Sequence, residues 1–413
     1  MTDRPLILVL GTADWNAPIA TNQHYVTREL AKEYPVIFAE GLGTRRPTLS
    51  RGDLTRMVQR LRRVARPARP VASRPVPINI EVLSPFAIPL HSGWTRRLNT
   101  NLLAGAVSQW ISYEGPKVLW TYTPYTYGLE HHTNASVFHL VDLIHNNRGV
   151  DAEGFLAAER NLARCCDIAI ATSPLIGEHL SEQGFANVDV KMNVADVDIF
   201  LNAPRQDIVR PDMPVVVFAG NLRADKLDLD ILRELSLQLA GKATLKLIGP
   251  IGINGDDRKL QKELRKIGAA ITPPISLQEL AVELSVSAVG IIPYQINGLT
   301  RGISPLKTFE YLSAGLSVVA TPLPALNPID DSLWIEETPE AFAARVVDLL
   351  DRDDLAVREQ RVTIAKEHSW KVRGEELRNQ LASVSVDKPL RPRSGQRDAA
   401  STRSGAAPKP PES

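Results

Sequence analysis

Short, unbroken apolar runs bounded by glycine or proline recur along most of the chain, and stretches of helical periodicity separate them. Pro5 to Gly11 (PLILVLG) is the first such run, followed by a helix from about Asn22 to Lys32 and a strand near Val36 to Ala39. Further strands are predicted at Val118–Thr121, Ser136–Val141 and Asp167–Thr172, with helices over Glu153–Arg164 and Leu175–Gln183. The second half repeats the alternation more regularly. Its strands fall at Val215–Ala219, Thr244–Ile248, Ala269–Ile271, Val289–Ile292 and Ser317–Thr321, with helical stretches such as Asp228–Leu239 between them. Runs that are apolar throughout, rather than at every second position, belong to strands covered on both faces, as in parallel sheets flanked by helices. The pattern predicts an α/β protein of two Rossmann-like, doubly wound domains. Pro204, Pro211 and Pro214 place a linker at 203–213, between a first domain over 1–202 and a second over 214–369. Beyond the Ser317 strand the chain reads as helical to about Ser383, with a last helix at 370–384. Residues 385–413 are rich in Pro, Ser, Arg and Gly and are expected to be disordered.

Composition adds little to this picture but excludes some classes. A length of 413 residues exceeds one ordinary domain, and 44% hydrophobic with 23% charged residues is enough for two cores. Cys165 and Cys166 are adjacent and poorly placed for an ordinary disulfide, which points to a reducing compartment. Neither a membrane-spanning run nor a signal peptide is expected, so the reading is cytoplasmic. The formal net charge of +1 hides one concentrated segment: Arg45 to Arg74 holds ten arginines and the single acid Asp53, about +9. Leu54, Met57, Val58, Leu61, Val64 and Ala65 recur there at helical spacing. The segment can be a basic helix lying on an anionic membrane surface, or a solvated helix packed on its own domain. Few aromatics interleave with the arginines, so nucleic acid is not expected as a partner.

The stretch with most chemical content is Ser304–Pro324, SPLKTFEYLSAGLSVVATPLP. Ser304 before Pro305 reads as an N-cap with proline at the first helical position, leaving backbone N–H groups free to attract an anion. Lys307 and Glu310 then share a helix face. The lysine suits a phosphate oxygen and the glutamate suits ribose hydroxyls, although an i,i+3 ion pair on a surface helix would look the same. Gly315 ends the helix before the next strand.

This string resembles the C-terminal signature of GT-B glycosyltransferases, particularly family 4 and its bacterial surface-polysaccharide relatives of teichuronic acid type. The resemblance implies a GT-B fold, with two Rossmann-like domains facing a central cleft and a C-terminal helix crossing back, here around HSWKVRGEEL near Trp370. It implies that Glu310 holds the nucleotide ribose and that Lys307 faces the diphosphate. Gly302 stands eight residues before Glu310, where many family 4 enzymes carry a second glutamate. FAGNLRADK, Phe218 to Lys226, resembles the opening of the donor domain, so Gly220, Asn221, Arg223, Lys226, Arg301 and Ser304 join Lys307 and Glu310 as nucleotide-sugar-binding candidates. Arg223 and Lys226 can equally be surface charges paired with Asp225 or Asp228. The GPIGING loop from Gly249 resembles a glycine-containing turn of the family and is not a dinucleotide fingerprint.

In the first domain, SVFHLVDLIHN (Ser136–Asn146) resembles the strand and exit loop that bear the acidic element of such transferases, so Asp142 is the candidate base. His139 is a second catalytic candidate and His145 a weaker one, although a histidine on an apolar strand is more often a core residue. The implied donor is a nucleotide diphosphate sugar and the implied acceptor a glycan or glycolipid. No cofactor or metal is expected, cations standing in where charge builds on the leaving group. Two alternatives remain: a nucleotide-sugar epimerase of the same fold, and a non-catalytic, membrane-associated scaffold of polysaccharide synthesis.

Overall fold

The computed structural model describes residues 4–17, 20–41, 74–88, 93–147, 149–203, 211–252, 257–350, 352 and 355–383. Seven strands form the first sheet: β1 (Leu6–Leu10), β2 (Val36–Ala39), β3 (Ile80–Leu83), β4 (Lys117–Thr121), β5 (Ala135–Leu140), β6 (Ile168–Ala171) and β7 (Val188–Val190). They pair in parallel in the order β3-β2-β1-β4-β5-β6-β7. Six strands form the second: β8 (Val215–Ala219), β9 (Thr244–Ile248), β10 (Ala270–Thr272), β11 (Val289–Ile292), β12 (Ser317–Ala320) and β13 (Leu333–Ile335). Their order, again all parallel, is β10-β9-β8-β11-β12-β13. Each sheet is wound outward from its middle, so winding reverses between β1 and β4 in one lobe and between β8 and β11 in the other. Connections leaving the two central strands diverge at that point and open a crevice at their carboxyl ends, where ligands bind in open α/β sheets.

The apolar pattern reveals all the central strands and the edge strand β10. β1, β4, β5, β8, β11 and β12 are buried along their whole length. Three that it does not reveal lie at or next to a sheet edge: β3 (IEVL), β7 (VDV) and β13 (LWI) are short and partly exposed. β13 therefore corrects the expectation of helix alone after Ser317. A helix at Gly93–Ala106 is also absent from the sequence reading.

The chain passes between the lobes twice. The helix Val197–Leu201 packs in the core of the second lobe through Val197 and Phe200, so the first crossing comes at about Asn193–Asp196, ahead of the expected linker. Of that linker, residues 204–210 lie outside the described residues. The return crossing runs beside the first: the Ala195 N–H donates to the His368 carbonyl at 3.2 Å, and the Trp370 N–H donates to the Ala195 carbonyl at 3.1 Å. From there the helix Trp370–Ser383 lies on the helix Asn22–Leu30 of the first lobe. Trp370 stacks on Tyr25 with centroids 4.9 Å apart, and Arg378 pairs with Glu29 at 3.1 Å and Glu33 at 2.7 Å. Gly374 is required by this contact, because a Cβ there would sit 2.2 Å from a Glu29 carboxylate oxygen.

The expected membrane-surface helix, Arg45 to Arg74, lies outside the described residues except for its last arginine. Arg74 is engaged with the loop after β1, its guanidinium donating to the Ala17 carbonyl at 2.8 Å. Among the described residues no helix is long and apolar enough to cross a membrane. The tail from 385 also lies outside them.

Candidate active site

The site is built at the winding reversal of the second sheet, from the loops that follow β8, β9 and β11. Gly220 ends β8 at φ +152° and Gly249 ends β9 at φ +140°, conformations that L side chains rarely adopt. A Cβ on Gly249 would fall 2.0 Å from the Gly220 carbonyl oxygen, so the two loops touch backbone to backbone. A Cβ on Gly220 would come within 3.2 Å of Lys307 Cε and Nζ. The glycines leave room for that ammonium at the end of the sheet.

Lys307 is held there by aromatic groups. Its Nζ donates to the Tyr294 hydroxyl at 2.9 Å and lies 5.1 Å from the Tyr294 ring centroid and 5.3 Å from that of Phe218. Tyr294 follows β11, so Gly220 and Tyr294 flank the reversal from its two sides. The helix carrying Lys307 is docked from beneath by Tyr311, whose hydroxyl accepts the Ala219 N–H at 2.8 Å. Gly290 in β11 makes room, since a Cβ there would lie 2.4 Å from the Tyr311 ring.

Glu310 lies one helical turn from Lys307 and keeps some contact with solvent. Protein around it pushes its carboxyl above the usual range, the Lys307 charge pulls the other way, and Asp196 pushes it up further. Asp196 is itself raised, chiefly by desolvation, and belongs to the crossing between the lobes. Asn221 adds a side-chain oxygen that is buried and has no hydrogen-bond partner.

Ser304 is not a helix cap. The helix spans Lys307–Ser313 with Leu306 at its N-terminal boundary and no side-chain cap, so it begins two residues later than the Ser-Pro pair suggests. The Ser304 hydroxyl instead accepts the Asn193 N–H at 3.1 Å, and its carbonyl accepts from the Asn193 side-chain amide at 3.1 Å. Asn193 Oδ1 accepts from Asn22 at 2.9 Å, and Asn22 accepts from the Tyr122 hydroxyl at 3.0 Å. This buried chain of polar groups joins the loop before Lys307 to the first lobe.

The remaining sequence candidates divide. Arg223 is bound to Asp225, with Nε donating to Oδ1 at 2.8 Å, and Asp228 caps the helix Leu229–Leu239. Arg301 is exposed. Crowding by protein raises the Asp142 carboxyl above its usual range, and the Lys226 charge partly offsets this. Asp142 is nevertheless accessible to solvent, as a group facing the cleft would be. Gly302 abuts Leu143 of the first lobe, where an added Cβ would make contact at 3.5 Å; a glutamate there would project onto the opposite lobe. His139 is 2% exposed inside β5 and stacks on Tyr122 with centroids 5.0 Å apart. Burial, helped by Arg373, pushes it down to about 3, so the ring is neutral. It is a core histidine rather than a group facing the cleft. Its two ring nitrogens are buried without a hydrogen-bond partner.

Tyr294 is the member that sequence reading misses, since it acts on Lys307 from the end of a different strand. Among the described residues, one group has the composition of a metal centre: His145, Glu159 and His179, considered below.

Residues 213–352 match the family described as Glycosyl transferases group 1. The match falls within the second lobe. Bacillus subtilis (strain 168) has a relative described as a teichuronic acid biosynthesis glycosyltransferase, TuaH, 26% identical over 226 residues. That alignment covers 52% of this chain and 56% of the Bacillus protein, so the chain matches little more than half of the relative's length. Solved structures extend the likeness to both lobes at the level of fold. Anabaena HepE in complex with UDP superposes with a TM-score of 0.64 at 14% identity, covering 92% of this chain and all 100% of that one. Sucrose-phosphate synthase from Thermosynechococcus elongatus gives 0.64 at 16% identity, covering 93% and 100%. The E. coli trehalose-6-phosphate structure bound with UDP-2-fluoro glucose gives 0.63 at 12% identity, covering 91% and 98%. With its two parallel sheets and returning C-terminal helix, the chain has the GT-B fold.

Proposed function

We propose that this protein transfers a hexose-type sugar from a nucleotide diphosphate sugar to a cell-surface glycan or a lipid-linked acceptor. The observation that carries the reading is the ammonium of Lys307, fixed by Tyr294 against Gly220 at the winding reversal, with Glu310 one turn away on the same helix. Breaking the anomeric bond builds negative charge on the departing diphosphate. A cation held in place before the reaction stabilises that charge without reorganising. Lys307 supplies it, and Lys226 adds to it from the next loop. Glu310 is placed to accept hydrogen bonds from the ribose, and Asn221 offers an unused acceptor.

Asp142 faces this group from the first lobe. In an inverting reaction it removes the acceptor hydroxyl proton, and in a retaining one it orients the acceptor. UDP in the structures of similar fold makes a uridine diphosphate sugar the first donor to try. A cytoplasmic protein working at the inner face of the plasma membrane fits a lipid-linked acceptor. The arginine-rich segment from Arg45 would supply attraction to anionic lipid, about 1 kcal/mol for each arginine near the surface.

Thermal unfolding of the full chain against a panel of nucleotide diphosphate sugars tests the reading. A donor at 100 times its Kd stabilises the fold by about 2.7 kcal/mol, a rise of several degrees in Tm. Should every nucleotide diphosphate sugar leave Tm unchanged, the assignment fails.

A further inference from the structure

Away from the cleft chemistry, three side chains from three separate elements converge in the first lobe. His145 sits in the single turn Ile144–Asn146, Glu159 in the helix Ala152–Ala163 and His179 in the helix Pro174–Glu182. One potential ligand atom from each lies within 4.8 Å of the other two. His179 Nε2 and a Glu159 carboxylate oxygen are 2.8 Å apart, and the two imidazoles stack with centroids 4.8 Å apart.

An ordinary hydrogen-bonded pair accounts for only part of this. Glu159 is 0% exposed, yet one of its carboxylate oxygens has no hydrogen-bond partner, and His145 Nδ1 is likewise buried and unpartnered. An orphaned oxygen on a buried carboxylate is costly, and buried charges are normally paired or bound to a metal. Both histidines retain partial exposure, which gives an ion a way in.

We propose that His145, Glu159 and His179 form a binding site for a divalent transition-metal ion, with Zn²⁺ as the best match. Two imidazoles and one carboxylate are a known Zn²⁺ ligand set, with water completing the tetrahedron. Ligand atoms at about 2.0–2.1 Å from zinc stand roughly 3.3 Å from one another, so rotation of the partly exposed His145 side chain completes the set. On binding, His179 Nε2 releases any proton it carries to solvent and coordinates through its lone pair. The ion ties the turn after Asp142 to two helices. It acts as a structural clasp on the loop that presents Asp142 and takes no part in sugar transfer.

The test uses the full chain stripped of metal and titrated with Zn²⁺ alone. One Zn²⁺ per chain should bind with a rise in Tm, Co²⁺ should give the visible absorption bands of a tetrahedral site, and Mg²⁺ should do neither. Glu159→Gln and His145→Gln should each weaken Zn²⁺ binding by at least about 100-fold. His145→Gln, at a partly exposed turn, serves if the buried substitution fails to fold. No stoichiometric Zn²⁺, or binding that survives His145→Gln unchanged, overturns the proposal. Neither readout involves a sugar donor, so failure here is separate from failure of the transferase reading.

Discussion

The two lobes wind their strands in the same sequence about the reversal, but they furnish that gap in opposite ways. In the second lobe it is lined by bare backbone, with Gly220 against Gly249 and one ammonium admitted between them and Tyr294. In the first lobe the corresponding loop after β1 is already satisfied. Gln23 accepts from the Thr12 N–H at 2.7 Å and the Ala13 N–H at 3.3 Å, and donates to the Thr12 hydroxyl at 2.8 Å. Amides that already have a partner are not available to a phosphate. One topology thus gives an anion-receptive end and a closed one, and the difference lies in a few side chains rather than in the fold. In the proposed function the first lobe contributes Asp142, two residues beyond β5.

Three substitutions sharpen this division of labour. The largest effect is expected at Asp142: Asp142→Asn should lower kcat by roughly 10²–10⁴-fold while donor binding, followed by calorimetry, stays near wild type. An equal loss of donor affinity would mean that the lobes do not divide the work this way. The same carboxylate sets a pH dependence if it acts as a base. Activity must fall as pH drops through its pKa, and because crowding raises that pKa the acid limb should begin above the ordinary carboxylate range. A profile flat down to that range would argue against the role.

Lys307→Ala comes next. Losing a pre-placed cation should cost roughly 10²–10³-fold in kcat. Tm should change little, since the side chain is only partly buried. Smallest is Arg223→Ala. Asp225 already holds the guanidinium, so initial rates should change less than about fivefold, the equivalent of about 1 kcal/mol. A loss comparable to that of Lys307→Ala would show that the Asp225 pair breaks when donor binds.

What the sequence disclosed follows from how local each signal is. Central strands buried on both faces leave continuous apolar runs, and the Lys307–Glu310 turn is contiguous, so both could be read directly. β3, β7 and β13 are edge strands of three or four residues, too short to leave a distinct run. Ser304 is not the cap that its local sequence predicts, because its hydroxyl accepts from the N–H of Asn193, 111 positions away. Tyr294 and the His145–Glu159–His179 group involve no recognisable spacing; only the packing of separate elements brings them together. His139 lies buried inside β5, stacked on Tyr122.

The paired crossings at Ala195 and Ser369 carry a mechanical implication. Two strands laid side by side and bonded to each other behave as one strap, and a body hung on a single strap pivots about one line. Asn193 is two positions from that line, so its grip on Ser304 would be strained least as the halves part. The segment leading to Lys307 is thereby tied to the opposite half close to the crossings themselves.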